Sequence, residues 1–255
     1  MFNRFSVRRL KKLAKTNIIG KDIIYMPVCV STNNVAKELS RLGHGTLFIA
    51  DKQTGGRGRS GRSWESKKGD GIYMSLLLKP DNLTPDISQL TLITAIAAAR
   101  AIGDDAKIKW PNDIVLSSRK VCGILTELSG NSVIVGVGIN VNNKKFPKEI
   151  KDIATSLYIE NSRRCSRERV IADFLNKFEV LYDEFSKSGF SVFRAEYKKL
   201  SVNIGREVRI IKNNEEIAGT ATDISRDGKL VVDVNGEFLT VQSGEVSIRG
   251  MYGYA

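Results

Sequence analysis

The sequence predicts an α/β (α+β) protein, a mixed sheet flanked by helices, followed by a small β domain. Three observations carry that prediction. Up to about residue 200, strand-like and helix-like stretches alternate along the chain. One strongly amphipathic helix spans Arg167–Ser188, with Val170, Ile171, Phe174, Leu175, Phe178, Leu181, Tyr182 and Phe185 at helical spacing. Beyond it, short alternating runs are separated by turn dipeptides, the pattern of a small barrel.

In chain order, Phe5–Ala14 reads as a basic amphipathic helix and Ile23–Cys29 as a strand. Ser31-Thr32-Asn33-Asn34 starts a helix that buries Val35, Ala36 and Leu39. Thr46–Ala50 and Gly71–Leu78 read as strands, with a long glycine-rich loop at Lys52–Lys68 between them. Ile87–Ile102 is an alanine-rich helix, followed by short extended pieces at Ala106–Trp110 and Asp113–Leu116 around Pro111. Val121–Glu127 and Ser132–Val141 form a strand pair across Ser129-Gly130-Asn131. The second is apolar almost throughout, which predicts a mid-sheet strand covered on both faces. Phe190–Leu200 reads as one helix. Five strands then follow at Glu207–Ile211, Ile217–Asp223, Leu230–Val234, Glu237–Thr240 and Val246–Ile248, with turns at Asn213-Asn214, Asp227-Gly228 and Asn235-Gly236. We expect an extension over residues 1–22, a main domain over 23–200 and a small domain over 201–255.

Composition narrows the function. The hydrophobic fraction of 42% over 255 residues supports a proper core. The longest apolar runs, such as Ile93–Ala99, are too short to span a bilayer, and no cleavable leader follows the basic start. These features point to a soluble cytoplasmic protein. Cys29, Cys122 and Cys165 lie far apart, so they read as buried free thiols rather than as a disulfide or zinc framework. His44, the single histidine, reads as a turn residue between Gly43 and Gly45 and leaves no histidine pair for catalysis or metal. A net charge of +12 suits an anionic partner without choosing between nucleotide, nucleic acid and acidic protein.

Four segments carry chemistry. Gln53 to Trp64 holds four glycines and three arginines, which make an anion clamp of approachable backbone amides and planar cations. It is neither a Walker A loop nor a dinucleotide fingerprint, and on its own it could equally bind RNA. Lys109-Trp110-Pro111-Asn112-Asp113 is a polar cluster around an indole, beside a proline that fixes the backbone. Lys120 opens a strand, where a rigid element can aim its ammonium. Gly136 and Gly138 lie inside an apolar strand, which implies that something approaches its backbone closely.

In this order and spacing the four segments resemble the biotin–protein ligase (biotin–[acetyl-CoA-carboxylase] ligase) family over roughly residues 23–250. Ser31-Thr32-Asn33 is similar to that family's Ser-Thr-Asn turn. Gly205-Arg206-Glu207-Val208 and Ser243-Gly244-Glu245-Val246 resemble its C-terminal SH3-like barrel. The resemblance implies a class II aminoacyl-tRNA-synthetase-like ligase domain. It also implies ATP and biotin as substrates, Mg²⁺ with the ATP on ligands the sequence does not name, and a biotin carboxyl carrier domain as acceptor. Carried onto this chain, Ser31, Thr32, Asn33 and Gln53 hold the ureido ring, and Gly136 and Gly138 make room for the biotin side chain. Arg57, Gly58 and Arg59 cover carboxylate and phosphates, and Lys120 reaches the activated carboxyl and the α-phosphate. Arg62, Trp64, Trp110, Asn112 and Asn140 lie around the adenylate. Asp113 deprotonates or orients the acceptor lysine, or else forms a structural ion pair.

Val30 and Ser60 depart from the family's usual residues. The short stretch before Ile23 leads us to expect no helix-turn-helix and no operator binding, while a homodimer stays open. Two rival readings remain at this point: a nucleic-acid module using the Arg-Gly loop, and a lipoate ligase.

Overall fold

A computed structural model of the chain describes residues 5–80, 87–212, 215–243, 247–250 and 254. The Asn213-Asn214 turn and Gly244–Val246 lie outside those residues. The elements in order are α1 (Val7–Leu13), β1 (Ile23–Met26), α2 (Thr32–Glu38), β2 (Thr46–Ala50), β3 (Gly71–Leu78), α3 (Ser88–Ile102), β4 (Lys107–Lys109), β5 (Asp113–Leu116), β6 (Arg119–Ser129) and β7 (Ser132–Asn140). Then come α4 (Leu157–Asn161), α5 (Arg167–Ser188), α6 (Arg194–Leu200), β8 (Glu207–Lys212), β9 (Glu215–Ile224), β10 (Leu230–Val234), β11 (Glu237–Val241) and β12 (Ser247–Gly250).

The first sheet runs β1-β2-β3-β7-β6-β5-β4. It is mixed because β1 pairs parallel to β2 while every other pair is antiparallel. Successive strand residues face opposite ways, and that alternation separates core from site. Ile72, Met74 and Leu76 of β3, with Val133, Val135, Val137 and Ile139 of β7, join the main core beneath α3 and α5. The intervening residues face α2. There Phe48, Leu77 and Ile134 form a small second cluster with Ala36, and the rest of the face carries Ser75, Gly136 and Gly138. The apolar β7 is thus mid-sheet as expected. Only one of its faces lies on the main core, because the residues on the other face are mostly small.

Three elements differ from the sequence reading. β1 stops at Met26, and Cys29 makes an isolated bridge to Gln53 instead of continuing the strand. Phe190–Leu200 is a 3₁₀ turn followed by α6, because Gly189 (φ 69) swings the chain into a tighter turn after α5. The short α4, capped by Ser156 Oγ accepting from Ile159 N–H at 3.1 Å, has too few residues to show a period. Of the three free thiols only Cys122 is buried; Cys29 and Cys165 are half-buried. His44 sits in its turn, where Nδ1 accepts the Lys79 N–H at 2.9 Å.

Helix α5 straps the segment that precedes β1. The Glu179 carboxylate accepts the N–H groups of Asn17, Ile18 and Ile19 at 2.7, 2.7 and 2.8 Å. Asn176 Oδ1 accepts from Lys15 N–H at 2.7 Å and Glu168 Oε1 from Ser6 N–H at 3.1 Å. Arg167 forms a buried 2.8 Å ion pair with Asp51, whose other oxygen accepts the Tyr25 hydroxyl at 2.7 Å. After α6, a five-stranded antiparallel sheet of order β11-β10-β9-β8-β12 packs against the first unit. Ion pairs from Arg194 and Lys198 of α6 to Asp223 of β9, 2.6 and 3.1 Å, tie the two together. Among the described residues no helix is long and apolar enough to cross a membrane.

Candidate active site

The site lies on the α2 side of the sheet, where small residues leave space. Ser31, Thr32 and Asn33 are buried at the start of α2. Gln53 Oε1 accepts from Thr32 N–H at 2.8 Å and from its hydroxyl at 3.1 Å. Ser75 Oγ lies 2.7 Å from Thr32 Oγ1 and 2.6 Å from Asn33 Oδ1. Gly136 is obligatory here, since a Cβ would sit 2.3 Å from Asn33 Oδ1. The result is a fixed patch of uncharged donors and acceptors, suited to a neutral polar ring.

The glycine-arginine segment, expected as an irregular loop, folds back on itself. Trp64 N–H bonds Gly56 O at 2.9 Å, Gly58 N–H bonds Arg62 O at 2.6 Å, and Arg57 bridges to Ser63. Ser60 (φ 55) and Gly61 (φ 72) make the tip. This hairpin lays the Trp64 indole across the sheet: Cβ atoms on Gly123 and Gly138 would fall 2.8 and 2.6 Å from the ring. Lys120 Nζ stands 5.4 Å from that ring's centre, a cation–π position. The close approach expected at Gly138 is therefore made by Trp64 itself.

Each cation of the site is held by an internal acceptor. Lys120 pairs with Asp113 Oδ1 at 2.6 Å. The Arg59 guanidinium donates to Asn112 Oδ1 at 3.0 Å, and Asn112 is oriented in turn by donating to Ile124 O at 3.0 Å. Burial lowers the Arg59 pKa from its ordinary value, with the Asp113 carboxylate opposing and Arg62 adding to the shift. Arg57 donates to Asn34 Oδ1 at 2.7 Å and to both oxygens of Glu127 at 3.3 and 3.2 Å. Glu127 also accepts from Lys37 at 2.6 Å and from Asn33 Nδ2 at 2.7 Å. Burial pushes its carboxyl up, but those two hydrogen bonds and the Arg57 and Lys37 charges outweigh burial and hold it below the usual range.

A cavity of about 50 Å³ opens at this point. Ser31, Thr32, Asn33 and Gln53 line one wall, and Arg57, Gly58, Arg59 and Trp64 another. Asn112, Lys120, Gly136 and Gly138 complete it. A wider space of about 540 Å³ borders the outer side of the hairpin, between Arg57–Gly61 and the start of α3. Four of the expected residues are not on the cavity wall. Asp113 stands behind Lys120. Arg62 is exposed on the hairpin. Asn140 is buried and donates to Thr155 O at 3.0 Å. Trp110, expected at the adenylate, is turned the other way. Its indole is 2% exposed and donates to Gly228 O at 3.0 Å, and its backbone N–H bonds Asn203 Oδ1 at 2.7 Å, so it joins the first sheet to the second.

The structure adds residues the sequence reading missed. Glu127 and Gly123 share the site face of β6 with Leu125, an alternation that assigns the face only once the pairing with β7 is known. Ser75 lies on the matching face of β3. Tyr254 had no signal: its hydroxyl donates to Asp113 Oδ2 and its carbonyl accepts from Lys109, whose ammonium sits 3.7 Å from the Tyr254 ring centre. Among the described residues, no three His, Cys, Asp or Glu side chains gather into a metal-binding group.

Comparison with known proteins places the chain in a family. Residues 25–143 match the biotin/lipoate A/B protein ligase family and residues 204–249 the biotin protein ligase C-terminal domain. The chain is 38% identical over 247 residues to the bifunctional ligase/repressor BirA of Bacillus spizizenii, covering 92% of this chain and 76% of that protein. It is 29% identical over 211 residues to the biotin–[acetyl-CoA-carboxylase] ligase of Mycobacterium tuberculosis, covering 79% of this chain and 78% of the other. The solved biotin protein ligase of Aquifex aeolicus, in complex with biotin and ATP, superposes with a TM-score of 0.84 at 33% identity, over 90% of this chain and 99% of that one. With both family models matched in order and these relatives covering most of its length, the chain belongs to the biotin protein ligase family.

Proposed function

We propose that the protein is an ATP-dependent biotin–protein ligase. One observation carries this reading: a single cavity joins an uncharged polar wall, Ser31, Thr32, Asn33 and Gln53, to a cationic wall, Arg57, Arg59 and Lys120. That division matches a molecule with a neutral cyclic urea at one end and a carboxylate at the other. The chemistry falls within a main domain over residues 23–200, followed by a small domain over 201–255.

In the first step a carboxylate oxygen of biotin attacks the α-phosphorus of ATP. The bond to pyrophosphate breaks and biotinyl-5′-AMP forms. Lys120 and Arg59 stabilise charge on the carboxyl and phosphoryl oxygens, and Arg57 and the Gly58 backbone close over the carboxylate. The nucleotide extends from Lys120 toward Asn112 and the wider space outside the hairpin. Mg²⁺ bound with the ATP would neutralise charge on its phosphates; among the described residues the cavity wall itself carries no carboxylate to hold it. In the second step the neutral amine of an acceptor lysine attacks the acyl carbon, AMP departs and the nitrogen loses a proton. Asp113, ion-paired with Lys120 behind the cavity wall, orients that amine or takes its proton, or else serves only as that structural pair. No enzyme nucleophile takes part; positioning and electrostatics do the work. The Trp64 hairpin shields the mixed anhydride from water.

The acceptor is a biotin carboxyl carrier domain. A nucleic-acid role for the Arg-Gly hairpin is disfavoured because Arg57 and Arg59 are bonded within the protein, to Glu127 and Asn112. The test is ATP-dependent labelling of a carrier domain by radiolabelled biotin, run beside lipoate. Labelling by biotin that lipoate does not compete away is expected; lipoate transfer in its place overturns the reading.

A further inference from the structure

Glu127 stands out once the site is assembled. It belongs to none of the recognised motifs, yet it touches three cavity or near-cavity groups at once. Its partners are not equivalent. Lys37 and Asn33 lie at 2.6 and 2.7 Å, whereas Arg57 lies at 3.2 and 3.3 Å and shares the same nitrogen with Asn34. Arg57 is also the more exposed of the two cations, 43% against 30% for Lys37. If Arg57 leaves, Glu127 keeps one short ion pair and one short hydrogen bond. The departure therefore does not strand a half-buried carboxylate, which is the costly outcome for such groups. Lys120 shows the same arrangement, because Asp113 keeps the Tyr254 hydroxyl when Lys120 turns away.

We infer that Glu127 is a positioning residue that acts through Arg57: it is an internal carboxylate that the substrate's own carboxylate displaces, and so it sets how strongly the site discriminates an acid from a neutral analogue. The inference rests on the ligase reading above. The guanidinium cannot give its best geometry to two carboxylates at once. Each ligand carboxylate must outcompete Glu127, while a ligand without one leaves the Arg57–Glu127 pair in place. Lys37 makes the exchange reversible by holding Glu127 in its rotamer, ready to recapture Arg57 when the ligand leaves.

The experiment compares binding of biotin with that of biotinol, the primary alcohol on the same ring system. Affinities are measured by calorimetry on the full chain carrying Glu127→Gln, and in parallel on the unmodified chain. Glutamine keeps the shape and an acceptor for Asn33 but removes the charge that competes. We expect the preference for biotin over biotinol to rise about three- to fivefold, the worth of one partly exposed ion pair. In an Arg57→Gln background the same Glu127 change should leave the preference where it was. A merely structural Glu127 would weaken both compounds alike, leaving the ratio fixed, and that result overturns the inference while sparing the ligase reading. A fall in the ratio, or the same rise without Arg57, overturns it as well. Binding of neither compound to the unmodified chain overturns both.

Discussion

Two basic stretches of this chain, residues 5–22 and Gln53–Trp64, both meet carboxylates, but in opposite ways. In the first, Arg8, Arg9, Lys11, Lys12 and Lys15 are exposed, and the α5 side chains accept backbone amides instead. In the second, the arginine side chains themselves make the bonds, to Glu127, Asn34 and Asn112. A backbone amide has a fixed position, so a carboxylate bonded to three of them fixes the fold. A long cationic side chain can rotate, so its carboxylate or amide partner is exchangeable. Similar charge density in the sequence therefore conceals one structural strap and one side-chain clamp.

The widest separation between the two comes from Lys120→Ala. Pyrophosphate release with biotin and ATP should fall by on the order of 100-fold or more, the usual loss for one cationic stabiliser of the transition state. The chain should stay folded with a lowered melting temperature, because Asp113 loses its ion pair but keeps the Tyr254 hydroxyl. Undiminished pyrophosphate release would remove Lys120 from the clamp.

The converse is Glu179→Ala, which leaves three amides of the strap without their acceptor. Denaturant unfolding should show a loss of about 2–3 kcal/mol with kcat unchanged. The pH dependence follows from the same contacts. Burial pushes the Glu179 carboxyl up, but the amides of Ile18, Ile19 and Asn17, with Lys21, outweigh it and hold the group below its usual range. A folded pKa below the unfolded one gives stability that is full above the unfolded value, about 4.3, and lost as pH falls through the lower folded value. The stability gap between wild type and Glu179→Gln should thus be constant near neutrality and shrink below about pH 4. A gap that grows in acid would contradict the assignment.

Gly138→Ala tests whether the clamp depends on its tryptophan. The new Cβ would meet the Trp64 ring at 2.6 Å, so the indole must lift off the sheet. Biotin affinity should drop about tenfold, the range expected for overpacking by one methyl group. Trp64 fluorescence should shift to the red as the ring meets water. An unshifted spectrum with normal affinity would show that the ring has another resting place.

Much of this was readable beforehand, and the gaps have physical causes. The strands of the first sheet and helix α5 were legible because period two and period 3.6 are written over many residues. Helix α4, five residues long, offers no period, and the Phe190–Phe193 turn looks helical from its side chains alone. At the site, the Ser-Thr-Asn turn, the hairpin and Lys120 were legible as motifs. Glu127 and Ser75 were not, since each is a single polar residue whose meaning appears only when the facing strands fix which way it points. The Tyr254 contact with Asp113 joins residues 141 apart, a distance no local pattern spans.

Trp110→Phe is the smallest expected effect, and it probes the line between strap and clamp inside a single motif. Within Lys109–Asp113 two residues take opposite sides. Asn112 orients Arg59 on the cavity, while the Trp110 indole goes into the core and donates to Gly228 in the β9–β10 turn. Phenylalanine keeps an aromatic ring there but removes the N–H donor, leaving the Gly228 carbonyl without that bond. A loss of about 1 kcal/mol follows from one buried hydrogen bond, seen as a lower melting temperature. The affinity for ATP should not change, because no ring at position 110 borders the cavity. A large rise in the ATP KM with an unaltered melting temperature would return Trp110 to the nucleotide. The expected result would instead divide the motif as the structure does, with its indole joining two sheets and its amide aiming a guanidinium.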